Sequence, residues 1–344
     1  MRGRERIVAA SASIYTFLIL AAIVSLRFLG ERWWTTGVGL YLPRLVLAAP
    51  LPVFVTALAA VGPRRYIWTQ IVAAWLLLFP WMGFVLPWPS LHPRAEQVVR
   101  VLSYNIDSGV GGIPNIVAEI DRYSPDVVLL QELAGSELIA GLLETRYPTV
   151  RVTNQFLLAS RYPVVSSVDP EKLDYEGRHR SARFVQQILE TPLGHIAIYN
   201  MHPLSPREIF YALRGNGMRR EILSGRLFSS ANAAVFQANS GLRTLQVKAV
   251  ADAAQQETDP VIIAGDTNLP GLSFVLNRYL SGYQDGFVQA GRGFGYTFPT
   301  NRGPWMRIDR ILASQTLRFV RFEVGTSLAS DHLCVIADLQ LRSR

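Results

Sequence analysis

Two long stretches without a charged residue constrain this chain more than any other feature. Ile7 to Leu26 gives twenty uncharged residues and Tyr66 to Trp88 gives twenty-three. At about 1.5 Å of helical rise per residue, each can cross a hydrocarbon core about 30 Å thick. Between them, Leu45 to Val61 adds seventeen more, extendable backward past Arg44 toward Trp33-Trp34. Arg44 would lie near one end and snorkel to the interface, while Pro50 and Pro52 would kink this helix. The sequence thus predicts an N-terminal transmembrane region over 1–93, with about three helices at roughly 7–29, 38–61 and 66–88, followed by a second domain over 94–344.

The charges orient these spans. Residues 1–93 hold eight arginines against Glu5 and Glu31, so they supply +6 of the net charge of +8. The pI near 9.8 therefore reports mainly on the apolar third, and a basic groove for nucleic acid does not follow from it. Arg2, Arg4 and Arg6 precede the first span and Arg64-Arg65 precede the third, which puts both clusters in the cytoplasm. Three spans then leave residues 94–344 outside, as the extracytoplasmic domain of a multi-pass protein of the cell (inner) membrane. A cleaved signal peptide is the competing reading, opposed by the length of the first run and the runs that follow it. Pro89 to Val98 would be a tether with roughly 35 Å of reach. A single cysteine, Cys334, excludes an internal disulfide.

From Val98 onward short apolar runs end on polar residues. Runs at 98–104, 126–130, 156–160, 164–165, 184–189, 195–200 and 261–264 read as strands, and 307–312 and 335–341 alternate as half-buried ones. Helices are expected at 114–123, 136–145 and 242–256. Asn105, Gln131-Glu132, His202, Asp266 with Asn268, and Asp331-His332 fall at strand ends, with Asp309 inside a strand. Asp266 and Asn268, two apart on an extended chain, share a face. Each has an ordinary explanation: a polar turn, a solvated helix entry, a loop histidine, or for Asp309 a partner to Arg307 or Arg310. Together they offer carboxylates and amides for a hard cation, and histidines to move protons. No P-loop, zinc-type Cys/His cluster or nucleophile-elbow serine is present, which argues against nucleoside triphosphatases, zinc hydrolases and serine hydrolases.

In order, Tyr104-Asn105, Gln131-Glu132, His202, Gly265-Asp266-Thr267-Asn268, Arg307-Ile308-Asp309 and Ser330-Asp331-His332 resemble the endonuclease/exonuclease/phosphatase superfamily over about residues 98–341. The resemblance implies a four-layer α/β sandwich, two mostly antiparallel sheets packed face to face with helices outside. It also implies hydrolysis at phosphorus assisted by Mg²⁺ or Mn²⁺. On that analogy Asn105, Glu132 and Asp331 serve the metal, Asp266 the attacking water and Asn268 a phosphoryl oxygen. Asp309 orients His332, and His332 and His202 contact the phosphoryl group or move protons.

The expected activity is that of a membrane-anchored metal-dependent phosphoesterase cleaving mono- or diesters. Its substrate would be phosphorylated and near the bilayer, a lipid headgroup or envelope phosphodiester. The alternatives are an extracytoplasmic nuclease on DNA or RNA and a non-catalytic binding module. The segment 205–241 carries Arg207, Arg214, Arg219, Arg220 and Arg226 with Phe210, Tyr211, Leu227, Phe228 and Phe236, and reads equally as a lid or bilayer-facing flap and as a solvated insertion. Arg178, His179, Arg180 and Arg183 form a second basic cluster that could meet a phosphate.

Overall fold

The computed structural model describes residues 3–86, 97–133, 137–206 and 230–342. Fourteen strands are described: β1 (Val99–Asn105), β2 (Val127–Gln131), β3 (Thr149–Thr153), β4 (Phe156–Ser160), β5 (Val164–Val168), β6 (Leu173–Tyr175), β7 (Arg178–Arg180), β8 (Phe184–Thr191), β9 (Gly194–Met201), β10 (Val261–Asp266), β11 (Gln284–Asp285), β12 (Asp309–Ala313), β13 (Leu317–Val324) and β14 (Val335–Leu341). Twelve of them form two six-stranded sheets, ordered β13-β14-β1-β2-β4-β3 and β11-β12-β10-β9-β8-β5. Each sheet is antiparallel except for one central parallel pair, β1 with β2 and β9 with β10.

Side chains alternate across a strand, so a strand buried on both faces reads as a continuous apolar run. Val99, Val101, Val127 and Leu129 point into the space between the sheets, where they meet Ile198, Ile262, Ala264 and Ile311. Leu102, Val128 and Leu130 point the other way, onto the helices Ile113–Tyr123 and Glu137–Glu144. On the far side Val261 and Ile263 pack under the helices Ser230–Gln255 and Phe274–Leu280. Helix, sheet, sheet and helix make the expected four layers.

The register gathers polar residues on one rim. In a parallel pair the C-terminal ends coincide, and an antiparallel neighbour contributes its N-terminal end to the same edge. Asn105 lies opposite Gln131, Gly265 opposite Met201, and Asp266 opposite Asp309. Val335 of β14 faces Ser103, so the preceding Asp331-His332 reaches that rim too.

The first eighty residues fold against this sandwich. Gly3–Phe28 is a helix long and apolar enough to cross a membrane. The other two expected spans are shorter: Leu51–Ala60 starts at Pro50, and Ile67–Leu76 runs into a wider π-type turn, Leu77–Trp81, that contains Pro80. Proline removes a helical hydrogen bond and clashes with the preceding turn, which accounts for the interruptions. Tyr15, Ile19, Leu76 and Trp81 share one apolar cluster with Leu272, Met306 and Ile308 of the sandwich.

One expectation changes here. Arg44 is buried, not snorkelling: it stacks over the Trp81 ring at 5.0 Å, and the Trp81 indole N–H donates to its carbonyl at 2.7 Å. Glu31 is buried as well: it accepts from Ser273 Oγ and the amides of Phe274 and Val275, and so caps the Phe274–Leu280 helix. Most of the expected 89–98 tether lies outside the described residues, and the N-terminal helices touch the sandwich directly.

The helix expected at 242–256 begins twelve residues earlier, at Ser230. Phe236, read as part of a lid or flap, is instead 1% exposed, and a Cβ on Gly37 of the N-terminal layer would lie 2.3 Å from its ring. The remainder of that insertion, 207–229, lies outside the described residues. Asp309 opens β12 where an acid inside the strand was expected. Arg178, His179 and Arg180 sit exposed on the β6–β7 hairpin.

Candidate active site

The site begins with a backbone requirement. Gly265 has φ +143°, and a Cβ there would lie 1.9 Å from the Met201 carbonyl oxygen of the adjacent parallel strand. Only glycine lets β10 approach β9 this closely and still turn Asp266 onto the rim. Gly265→Ala should cost roughly 2–5 kcal/mol, from left-handed backbone strain together with the clash. The denaturant midpoint of the full chain measures this, and a wild-type midpoint would refute it. Beyond Asp266 the chain turns with Asn268 in the left-handed region, its amide N–H bonded to Asp266 Oδ1 at 2.8 Å.

All eight residues singled out from the sequence meet in one network. Asn105 Nδ2 donates to Glu132 Oε1 at 3.1 Å and to Asp266 Oδ2 at 3.2 Å. His202 Nε2 lies 3.4 Å from Glu132 Oε1 and 3.6 Å from Asp266 Oδ2. His332 Nδ1 bonds Asp309 Oδ2 at 2.9 Å, while its Nε2 faces Asp266 Oδ2 at 3.7 Å and Asp331 Oδ1 at 3.8 Å. Asn268 Nδ2 donates to the Pro203 carbonyl at 3.0 Å. Arg307 and Arg310, considered as partners of Asp309, bind Asp285 instead, each at 2.6 Å. Asp309 is thereby left to the imidazole.

Burial makes the electrostatics strong. It pushes the Asp266 carboxyl up; the nearby His332 opposes that rise and the Asp309 carboxylate adds to it. For His332, burial favours the neutral ring, but Asp309 and Asp266 outweigh it and carry its pKa to about 10. With Nδ1–H directed at Asp309, the ring presents Nε2–H toward Asp266 and Asp331.

The donor set fits a hard divalent cation. Glu132, Asp266 and Asp331 supply carboxylate oxygens and Asn105 an amide, all on one rim, and the Glu132 side chain keeps 24% exposure as a route of entry. Asp266, Asp309 and His332 also offer atoms within 4.8 Å of one another. In that trio a single imidazole ring faces both carboxylates.

Three participants had no sequence signal. Gln155, in the β3–β4 turn, bonds His202 Nδ1 at 2.9 Å and so orients that ring. Tyr41 and Arg243 reach the Asn268 turn from the N-terminal layer and the long helix. Asn200 was legible only as the end of a strand, yet its Oδ1 accepts from Gln131 Nε2 at 2.8 Å, tying the two sheets together beneath the rim.

Two mixed sheets packed face to face, with acids, amides and paired histidines converging where their parallel strands end, define a metal-dependent phosphoric ester hydrolase. The chain belongs to the endonuclease/exonuclease/phosphatase family, whose profile matches residues 102–332. The endonuclease/exonuclease/phosphatase of Beutenbergia cavernae is similar in structure, with TM-score 0.52 and 21% identity over 72% of each chain. Caenorhabditis elegans TDP2 is similar at TM-score 0.51 and 19% identity, covering 71% of this chain and 74% of that one. Staphylococcus aureus beta toxin gives TM-score 0.50 and 14% identity, covering 70% and 99%. These likenesses show the shared fold. No curated protein matches.

Proposed function

We propose that this enzyme is a membrane-anchored phosphoesterase that uses Mg²⁺ or Mn²⁺ on phosphodiesters or phosphomonoesters at the bilayer surface, outside the cytoplasm. The observation that supports this most is the apolar exterior of the N-terminal layer. Ile7, Phe17, Val53, Trp68 and Ile71 are each 62–67% exposed, on the same layer that packs against the site. Outward apolar side chains of this number suit lipid better than water. The arginine distribution argues for a cell-membrane protein with several passes and its site outside. Lipid headgroups and envelope phosphodiesters are thus favoured over nucleic acid; the nuclease reading remains the alternative that the test separates.

Glu132, Asn105 and Asp331 would hold the divalent ion, which when bound neutralises phosphoryl oxygens and polarises phosphorus. Asp266 orients the attacking water and accepts its proton. Asn268 offers its amide to a phosphoryl oxygen. His332, its tautomer fixed by Asp309, donates Nε2–H to the phosphoryl group. His202, held through Nδ1 by Gln155, assists the departing oxygen.

Full-length protein in lipid nanodiscs should hydrolyse bis-p-nitrophenyl phosphate with Mg²⁺ or Mn²⁺ and lose activity to chelator. In a panel of phospholipids, plasmid DNA, RNA and nucleotides, phospholipids should be the preferred substrates. Preference for DNA or RNA would overturn the membrane-substrate reading in favour of the nuclease. A reporter fused after Val98 should read outside the cytoplasm, and a cytoplasmic signal would overturn the orientation.

A further inference from the structure

We propose that Tyr41, backed by Arg243, is a positioning residue for Asn268, so that the N-terminal helical layer completes the catalytic site as well as carrying it to a bilayer. This rests on the reading that Asn268 serves the phosphoryl group.

Asn268 occupies the left-handed region at φ 51°, which a residue with a Cβ adopts only when its surroundings hold it there. Two of the hydrogen bonds that hold it come from the sandwich itself, to Asp266 Oδ1 and to the Pro203 carbonyl. A third crosses from the N-terminal layer: the Tyr41 hydroxyl lies 2.9 Å from the Asn268 carbonyl oxygen.

The direction of that bond is fixed by chemistry. A guanidinium can only donate, and Arg243 Nη1 donates to the Tyr41 hydroxyl oxygen. The Tyr41 proton is therefore directed to Asn268. A cation donating to the hydroxyl also polarises its O–H and strengthens the onward bond. Both partners are themselves fixed. Arg243 is 1% exposed, and its Nη2 donates to Asn239 Oδ1. The backbone carbonyl of Tyr41 accepts from the Trp305 indole at 3.3 Å. On the next residue Arg310 Nη2 holds the Leu269 carbonyl at 3.2 Å. The turn is thus braced by arginines on both sides, one acting directly and one through Tyr41.

Displacing a substrate-facing group by a fraction of an ångström slows chemistry without abolishing binding. In full-length enzyme in nanodiscs, assayed with Mn²⁺ on bis-p-nitrophenyl phosphate, Tyr41→Phe should lower kcat roughly tenfold with KM within about twofold of wild type. The thermal midpoint, followed in parallel, should fall by no more than a few degrees, because phenylalanine keeps the ring and its packing and loses only the hydroxyl's two hydrogen bonds. In an Asn268→Ala background the same change should cost less than about twofold, since both act at one point. Arg243→Gln, which can still donate but carries no charge, should show an intermediate loss. Wild-type kcat in Tyr41→Phe, or an undiminished penalty in the Asn268→Ala background, would overturn the proposal. Wild-type turnover in Asn268→Ala alone would instead remove the catalytic reading of Asn268 and the positioning role with it.

Discussion

Asp266→Asn is expected to reduce turnover by about 10²–10⁴-fold with the fold intact. Asparagine keeps the Oδ1 acceptor that the Asn268 amide uses at 2.8 Å, so the turn after β10 should survive. What disappears is the carboxylate that Asn105, His202 and His332 all face. Its neighbours are otherwise engaged: Asp309 is bonded to His332, and Glu132 and Asp331 are the carboxylates proposed to hold the cation. Removing a charge that burial disfavours should leave the thermal midpoint unchanged or slightly higher. Steady-state kinetics at saturating metal, paired with thermal unfolding, checks both halves. Turnover within tenfold of wild type would sink the assignment.

Asp285→Ala should be the most destabilising single charge removal near the site. Burial alone would raise the Asp285 carboxyl, but Arg307 and Arg310 outweigh it and hold it below the usual carboxylate range. Its oxygens also accept from the Phe287 and Val288 amides, capping the short helix Gly286–Ala290. Removing it leaves the 1%-exposed Arg310 beside Arg307 with no counter-charge, at a cost of about 3–5 kcal/mol. For a chain of this size the thermal midpoint should fall by roughly 4–7 °C. The pH dependence follows from the depressed folded value. The contribution is complete above the unfolded carboxyl pKa of about 3.9 and is lost as pH falls through the folded one. The gap between wild-type and variant midpoints should therefore be full at neutral pH and close in strong acid. A gap that persists unchanged in acid would assign the loss to packing.

Particular residues show how far the sequence could be read. Val261 to Ile263 announced a buried strand by apolar continuity, and Gly265 announced a turn because few backbones other than glycine tolerate its conformation. The strand-end positions of Asn105, Glu132, His202, Asp266 and His332 carried the chemistry, because polar groups at the end of an apolar run lie at a sheet's rim. Strand β3 and the β6–β7 hairpin were missed: Thr149–Thr153 and Leu173–Tyr175 are short and partly exposed, so they lack an apolar signature. Asp285 gave no sign of its importance, since a pairing with residues more than twenty positions away leaves no local pattern. The long helix starts before the expected position because residues 230–241 are of mixed polarity, and the burial of Phe236 against Gly37 depends on a distant layer.

Local chemistry in the sequence thus determined most of the buried strands, the residue types of the candidate site, the family and an apolar N-terminal helix of spanning length. Tertiary structure decided which of those groups face one another: Asp309 chose His332 over two nearer arginines, Glu31 became a helix cap, and Tyr41 reached Asn268 across 227 positions. Periodicity and residue type are properties of neighbouring residues and survive in one dimension. Contacts depend on the register of strands and the docking of layers, which the summed burial of the whole chain sets and no short stretch encodes.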